Sequence, residues 1–202
     1  DPMDDEGHGT HCAGIIGAKG DNGVGVSGMN HNVKIMALKA LDENGSGSDS
    51  DLIDAYNYIN KAINLGVNVA AINDSWGGEG KSTIFKKLMD LVGAKGAVSV
   101  CAAGNESADN DETATYPAND DCAYKISVAA TNEKGELSNY SNYGKEKVDI
   151  AAPGSDILST YAEDCYNPSI YSAEKQKEVT QKLADFNGES SWAEWNPENI
   201  RI

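Results

Sequence analysis

The sequence predicts an α/β protein built on a parallel sheet. Three observations predict it: short apolar runs rich in β-branched residues, amphipathic stretches between them, and a glycine closing each of those stretches. The apolar runs at 33–38, 67–72, 97–102, 126–130 and 148–151 read as buried strands. Two helices lie between the first three runs. Leu52, Tyr56, Ile59 and Ile63 share one helical face that ends at Gly66, and Ile84, Leu88, Leu91 and Val92 share another that ends at Gly96. Ser48 or Ser50 is expected to cap the first helix and Ser82 the second. Strands alternating with helices imply right-handed crossovers between parallel strands. Ligand sites in such sheets form beyond the carboxyl ends of the strands. The loops 75–80 and 104–107 follow strands and so belong at that edge. From residue 162 onward the chain turns polar, with a charged helix expected at 173–184 and Trp192, Trp195 and Pro197 after it. The expected division is therefore 1–161 for the folded domain and 162–202 for a divergent C-terminal segment.

Composition limits the function classes. The chain has 202 residues, 40% hydrophobic and 24% charged, which suits one domain with a sizeable core. Its 32 acidic residues against 16 basic ones give a net charge of −16, with no basic stripe. Phosphate binding needs clustered Lys and Arg, so nucleic acid is not an expected partner, and anionic membrane surfaces are disfavoured for the same reason. No apolar run approaches the roughly 18 residues of a membrane span. The acidic excess reads first as a solvated surface on a monomer, with a calcium role left open. The four cysteines show no metal-ligand spacing. Cys12 and Cys101 sit in apolar runs and read as buried, whereas Cys122 and Cys165 lie in polar sequence, where a pairing is left open.

The chemistry-bearing segment comes first. Residues 4–17 read DDEGHGTHCAGIIG, which suggests a helix beginning at His8 and packing closely through Gly9, Cys12, Ala13 and Gly14. A histidine on such a rigid perch can serve as a general base. Two other readings stand beside it: His8 and His11 as structural residues, or as metal ligands with Asp4, Asp5 or Glu6. Asn105 follows Gly104 after an apolar run, which places a carboxamide at the sheet edge; a plain turn is the rival reading. A nucleotide-binding α/β domain would need a glycine-rich phosphate loop between its first strand and helix, and none is present.

The motif HGTHCAG resembles the signature around the catalytic histidine of the subtilases, the subtilisin-like serine proteases. Further segments match in family order: GVGVSG at 23–28, NDSWGG at 73–78, AAGNE at 102–106, Tyr116–Pro117, and APGSDILSTY at 152–161. The resemblance implies a three-layer subtilisin-like fold, endopeptidase activity on extended peptides, and an extracellular location. It makes His8 the general base and Asn105 the oxyanion donor. It makes Ser75, Trp76 and Gly77 one wall of the primary specificity pocket, and Gly45, Ser46 and Gly47 a strand edge that pairs with substrate backbone. It likens residues 20–26 to a calcium loop, with Asn22 offering a side-chain oxygen and Gly20, Val24 and Val26 their carbonyls.

Two family features lack a counterpart. The triad aspartate lies on a strand well before the histidine motif, and only seven residues precede His8 here. The serine motif G-T-S-M-A does not occur; the nearest echo is FNGESS at 186–191, which makes Ser190 a candidate nucleophile against the preferred reading of a polar tail. The sequence is thus expected to be a partial catalytic domain, incomplete at both ends. The alternative is an inert pseudoprotease that binds extended peptides or a partner protein.

Overall fold

The computed structural model describes residues 3–162. Ser190, Cys165 and the expected helix at 173–184 lie outside the described residues, and the expected boundary after residue 161 falls at their edge. The chain divides into two compact units, Ser48–Ile157 as one and Asp1–Gly47 with Leu158–Ile202 as the other.

The larger unit holds the sheet. In chain order its elements are α2 (Asp49–Asn64), β1 (Ala71–Asp74), α3 (Thr83–Gly93), β2 (Val98–Ala102), β3 (Lys125–Thr131) and β4 (Ile150–Pro153), with α1 (His8–Gly17) in the smaller unit. The four strands lie in the order β1-β2-β3-β4, every pair parallel. Helix α2 starts where Ser48 and Asp51 form a reciprocal capping box, and Ser82 accepts the Phe85 amide at the start of α3. On the sheet, Ser99, Cys101, Ser127 and Ala129 are buried small residues at alternating positions, and their size allows helices to approach closely. Tyr56 from α2 reaches this face, bonding to Ser99 Oγ at 2.8 Å. Tyr56, Ile59, Phe85, Met89 and Val92 form the core of the two helices, with Tyr56 and Phe85 edge-on at 4.6 Å.

The face expected on α2 is the one it buries. On α3 Val92 is buried as expected, but the rest of the buried face is turned by one residue. Phe85, Met89, Val92 and Gly93 are buried, while Ile84 is 60% and Leu91 42% exposed. Gly93 is packed so tightly that a Cβ there would sit 2.2 Å from Tyr124, which fixes the turn of the helix. Residues 33–38 form no strand among the described residues. A strand exists only by pairing, and in its own unit no described segment supplies a ladder partner.

In the smaller unit the N-cap of α1 is Gly7, with φ 103° and no side chain to cap the helix. Asp4 does the capping instead. Its carboxylate accepts the amides of Glu6, Gly7 and Thr10 and the Thr10 hydroxyl, at 2.6–3.1 Å. At the other end, the amides of Gly28, Met29 and Asn30 satisfy the carbonyls of Ala18, Ile15 and Ile16. No helix of the described residues is long and apolar enough to cross a membrane.

Candidate active site

His8 is exposed on the first residue of α1, held from three directions within its own unit. Asp4 fixes the helix start, and burial, which raises its carboxyl, is outweighed by these hydrogen bonds, so its pKa lies below the ordinary carboxylate value. The segment 159–161 packs along the helix. Ser159 and Thr160 hydroxyls donate to the carbonyls of His11 and Thr10 at 2.6 and 2.8 Å, and Tyr161 donates to Glu6 at 3.2 Å. Gly14 is needed for this approach, since a Cβ there would meet Thr160 Oγ1 at 2.2 Å. One helical turn along, Cys12 Sγ lies 3.9 Å from His8 Nε2. This contact holds the imidazole above its ordinary pKa, against a lowering by burial. His8 is thus the neutral, proton-accepting form only above that raised value.

In the same unit Gly45 and Ser46 form a tight turn about Asp42. Asp42 Oδ1 accepts the Asn44 and Ser46 amides, each at 2.9 Å, and the Gly45 amide reaches the Asp42 carbonyl at 3.0 Å. The Gly45 carbonyl and Gly47 amide make no hydrogen bond among the described residues, so they are the groups of this segment open to an extended chain. The 20–26 loop is exposed over 21–24, and Asn22 Oδ1 accepts the Val24 amide at 3.0 Å. With Asn22 and the carbonyls of Gly20, Val24 and Val26 this loop offers fewer oxygens than the six to eight that calcium takes. By themselves these residues do not fit the ion.

The larger unit carries the other candidate residues. Asn105 is exposed just past the carboxyl end of β2, and its side-chain amide makes no hydrogen bond among the described residues. Its loop is built on Asn142, a residue that the sequence reading did not single out. Asn142 is fully buried. Its Oδ1 accepts the amides of Glu106 and Ala108 at 2.9 and 3.0 Å, and its own amide donates to the Gly104 carbonyl at 3.0 Å. Its two Nδ2 protons are shared among Glu106 Oε2, Asn110 Oδ1, the Ala103 carbonyl and Thr115 Oγ1, at 2.8–3.3 Å. Gly104 has φ 120°, and a Cβ there would lie 2.3 Å from Asn142 Nδ2, so glycine is required twice over. Asn142→Ala is expected to cost about 3 kcal/mol, since it orphans several polar groups at once. A drop in the urea midpoint at unchanged slope checks it.

Ser75, Trp76 and Gly77 follow β1. The Gly78 and Tyr116 backbones pair in an antiparallel bridge at 2.8–2.9 Å, which fixes the exit of this loop. Trp76 packs edge-on to Phe85 at 5.1 Å and donates Nε1–H to Asp74 Oδ1 at 3.1 Å. Asp74 is 3% exposed and also accepts the Tyr56 hydroxyl at 2.5 Å. Burial pushes its carboxyl up to about 6, against lowering by those two donors. The native state therefore binds this proton more tightly than the unfolded chain, whose value is 3.8. The carboxyl weighs least on stability below pH 3.8, and stability falls as pH rises to about 6. A rise of that size corresponds to about 3 kcal/mol. Asp74→Asn is thus expected to melt higher than the parent at pH 8, with the gain vanishing near pH 4. Cys101 and Cys122 are buried, and Cys12 is half-buried.

The chain's relatives are named as proteases. The model of the Subtilase family matches residues 1–191. The chain is 41% identical over 167 residues to a thermophilic serine proteinase of Bacillus sp. (strain AK1), covering 82% of this chain and 39% of that protein. It is 39% identical over 165 residues to the minor extracellular protease Epr of Bacillus subtilis (strain 168), covering 81% of this chain and 24% of that protein. Among solved structures it resembles a cold-adapted subtilisin-like serine proteinase, with a TM-score of 0.67, 31% identity, and coverage of 82% of this chain and 55% of that one. The chain thus spans well under two thirds of the length of these relatives. The fold is the α/β parallel-sheet fold of subtilisin-like proteinases, and the chain belongs to the subtilase family.

Proposed function

We propose that this domain performs serine endopeptidase chemistry on extended peptides. The observation that carries the reading is the Subtilase family match over residues 1–191, supported in one unit by an anchored, exposed imidazole at the start of α1 and in the other by an unengaged carboxamide on a braced loop past β2. His8 takes the proton from a serine hydroxyl as its oxygen attacks the scissile carbonyl, then passes it to the departing amine. Asn105 Nδ2 donates to the oxygen that becomes negative in the tetrahedral intermediate. The Gly45 carbonyl and Gly47 amide, and separately the 75–77 backbone, are the groups assigned to pair with the peptide main chain, with Trp76 walling the pocket for its leading side chain. A secreted monomer fits the acidic surface and the extracellular name of the Bacillus subtilis relative. A structural calcium at 20–26 would need further oxygen ligands, and no step is routed through one.

A fluorophosphonate probe tests this on the complete gene product. One serine should be labelled, at a rate that climbs with pH as the His8 imidazole becomes neutral. Peptide mapping then shows whether the nucleophile is Ser190 or another serine. Absence of labelling in folded protein at pH 8 would contradict the proposal.

A further inference from the structure

We propose that Asp74 is a positioning residue for substrate selection: its buried carboxylate locks the Trp76 indole in place and thereby sets which leading side chains the pocket admits. This rests on the reading of Trp76 as a pocket wall. An aspartate is an improbable residue at the end of a buried strand, because desolvating a carboxylate is costly without a cation. Among the described residues no lysine or arginine pairs with Asp74. Its partners are neutral donors from separate elements: Tyr56 of α2 at 2.5 Å and the Trp76 indole at 3.1 Å. The Tyr56 hydroxyl continues to Ser99 of β2 at 2.8 Å. The indole is therefore held by its N–H on Asp74 and by a T-shaped ring contact with Phe85, 5.1 Å away at 77°. Two anchors in different directions leave the ring one orientation.

That orientation shapes a surface. Trp76 lines a shallow pocket together with Leu52, Phe85, Tyr116, Pro117 and Asp120. Freed from Asp74, the indole would swing and change the room available there. The buried pair Asp74 and Tyr56 thus links the helix layer to the wall, with no contact to substrate. The titratable groups facing Asp74 are Tyr56 from α2 and Cys101 from β2, 4.0 Å away, and burial raises both well above neutrality. Only Asp74 in this cluster changes charge near pH 6.

The first measurement needs no activity. In the ¹⁵N-labelled 202-residue chain, the Trp76 indole N–H signal is identified by its loss in Trp76→Phe. It should move with pH with an inflection near 6, and Asp74→Asn should abolish that inflection while Asp120→Asn keeps it. A Trp76 signal indifferent to pH, or an inflection surviving in Asp74→Asn, overturns the proposal whatever the domain's activity. The second uses the complete gene product with peptides carrying large or small leading side chains. Asp74→Leu, which removes the indole's acceptor, should change the ratio of kcat/KM between the two by about tenfold, mainly through KM. Asp74→Asn, which keeps an acceptor oxygen, should restore the parent ratio. An unchanged ratio in Asp74→Leu sinks the proposal. An unchanged ratio in Trp76→Ala as well, alongside the expected indole titration, locates the failure in the pocket reading and still removes the selective role of Asp74.

Discussion

His8→Ala is expected to lower kcat of the complete gene product by about a million-fold while leaving the domain folded. That magnitude is the one found for the corresponding histidine of subtilisin, a member of the same family. The loss arises because an un-ionised serine hydroxyl is a weak nucleophile, and no neighbour on α1 can take over the proton. Stability should hardly change. The side chain of His8 does not cap the helix, which depends on Asp4 and on the 159–161 segment. A melting temperature within a few degrees of the parent, together with lost turnover, checks both halves.

Asn105→Ala should lower kcat by roughly 10²–10³ with KM nearly constant, the signature of a hydrogen bond made only in the transition state. This range, too, was measured on the corresponding asparagine of subtilisin. The structure explains why the loss should be confined to kcat. The Asn105 side chain braces nothing: its loop is held by Asn142, by Glu106 and by the geometry of Gly104. In the proposed mode of binding, substrate contacts in the ground state come from backbone groups elsewhere. A rise in KM with kcat intact would instead make Asn105 a binding residue. Asn142→Ala should look different again, lowering stability and kcat together, because it loosens the platform rather than removing the donor.

Much of the fold was legible in the chain because it rests on local pattern. Strands β2 and β3 show as apolar runs, and α2 buries the face its periodicity marks. The misreadings have definite causes. On α3, Ile84, Leu88 and Leu91 make as apolar a stripe as Phe85, Met89 and Val92, and the choice is made by Gly93 meeting Tyr124, a contact invisible in local sequence. At 33–38 the pattern records an apolar extended segment but not whether a ladder partner exists. Candidate site residues stand out in the sequence where a motif is contiguous, as for His8, Asn105 and the 75–77 loop. Their support was not legible where it comes from afar. Asn142 reaches Glu106 across 36 residues, and Tyr56 reaches Asp74 across 18. Asp74 stood inside a recognised motif, yet only burial and its two donors reveal that it has a task.

The claim beneath all of this is that His8 and Asn105 serve one reacting carbonyl. The direct measurement is a crystal structure of the complete gene product with a peptide boronate bound as a tetrahedral adduct. The expected result is one boronate oxygen within about 3 Å of Asn105 Nδ2, with the His8 ring in hydrogen-bonding reach of the nucleophile's oxygen. An adduct that engages neither residue, or only one of them with the other facing bulk solvent, would contradict it.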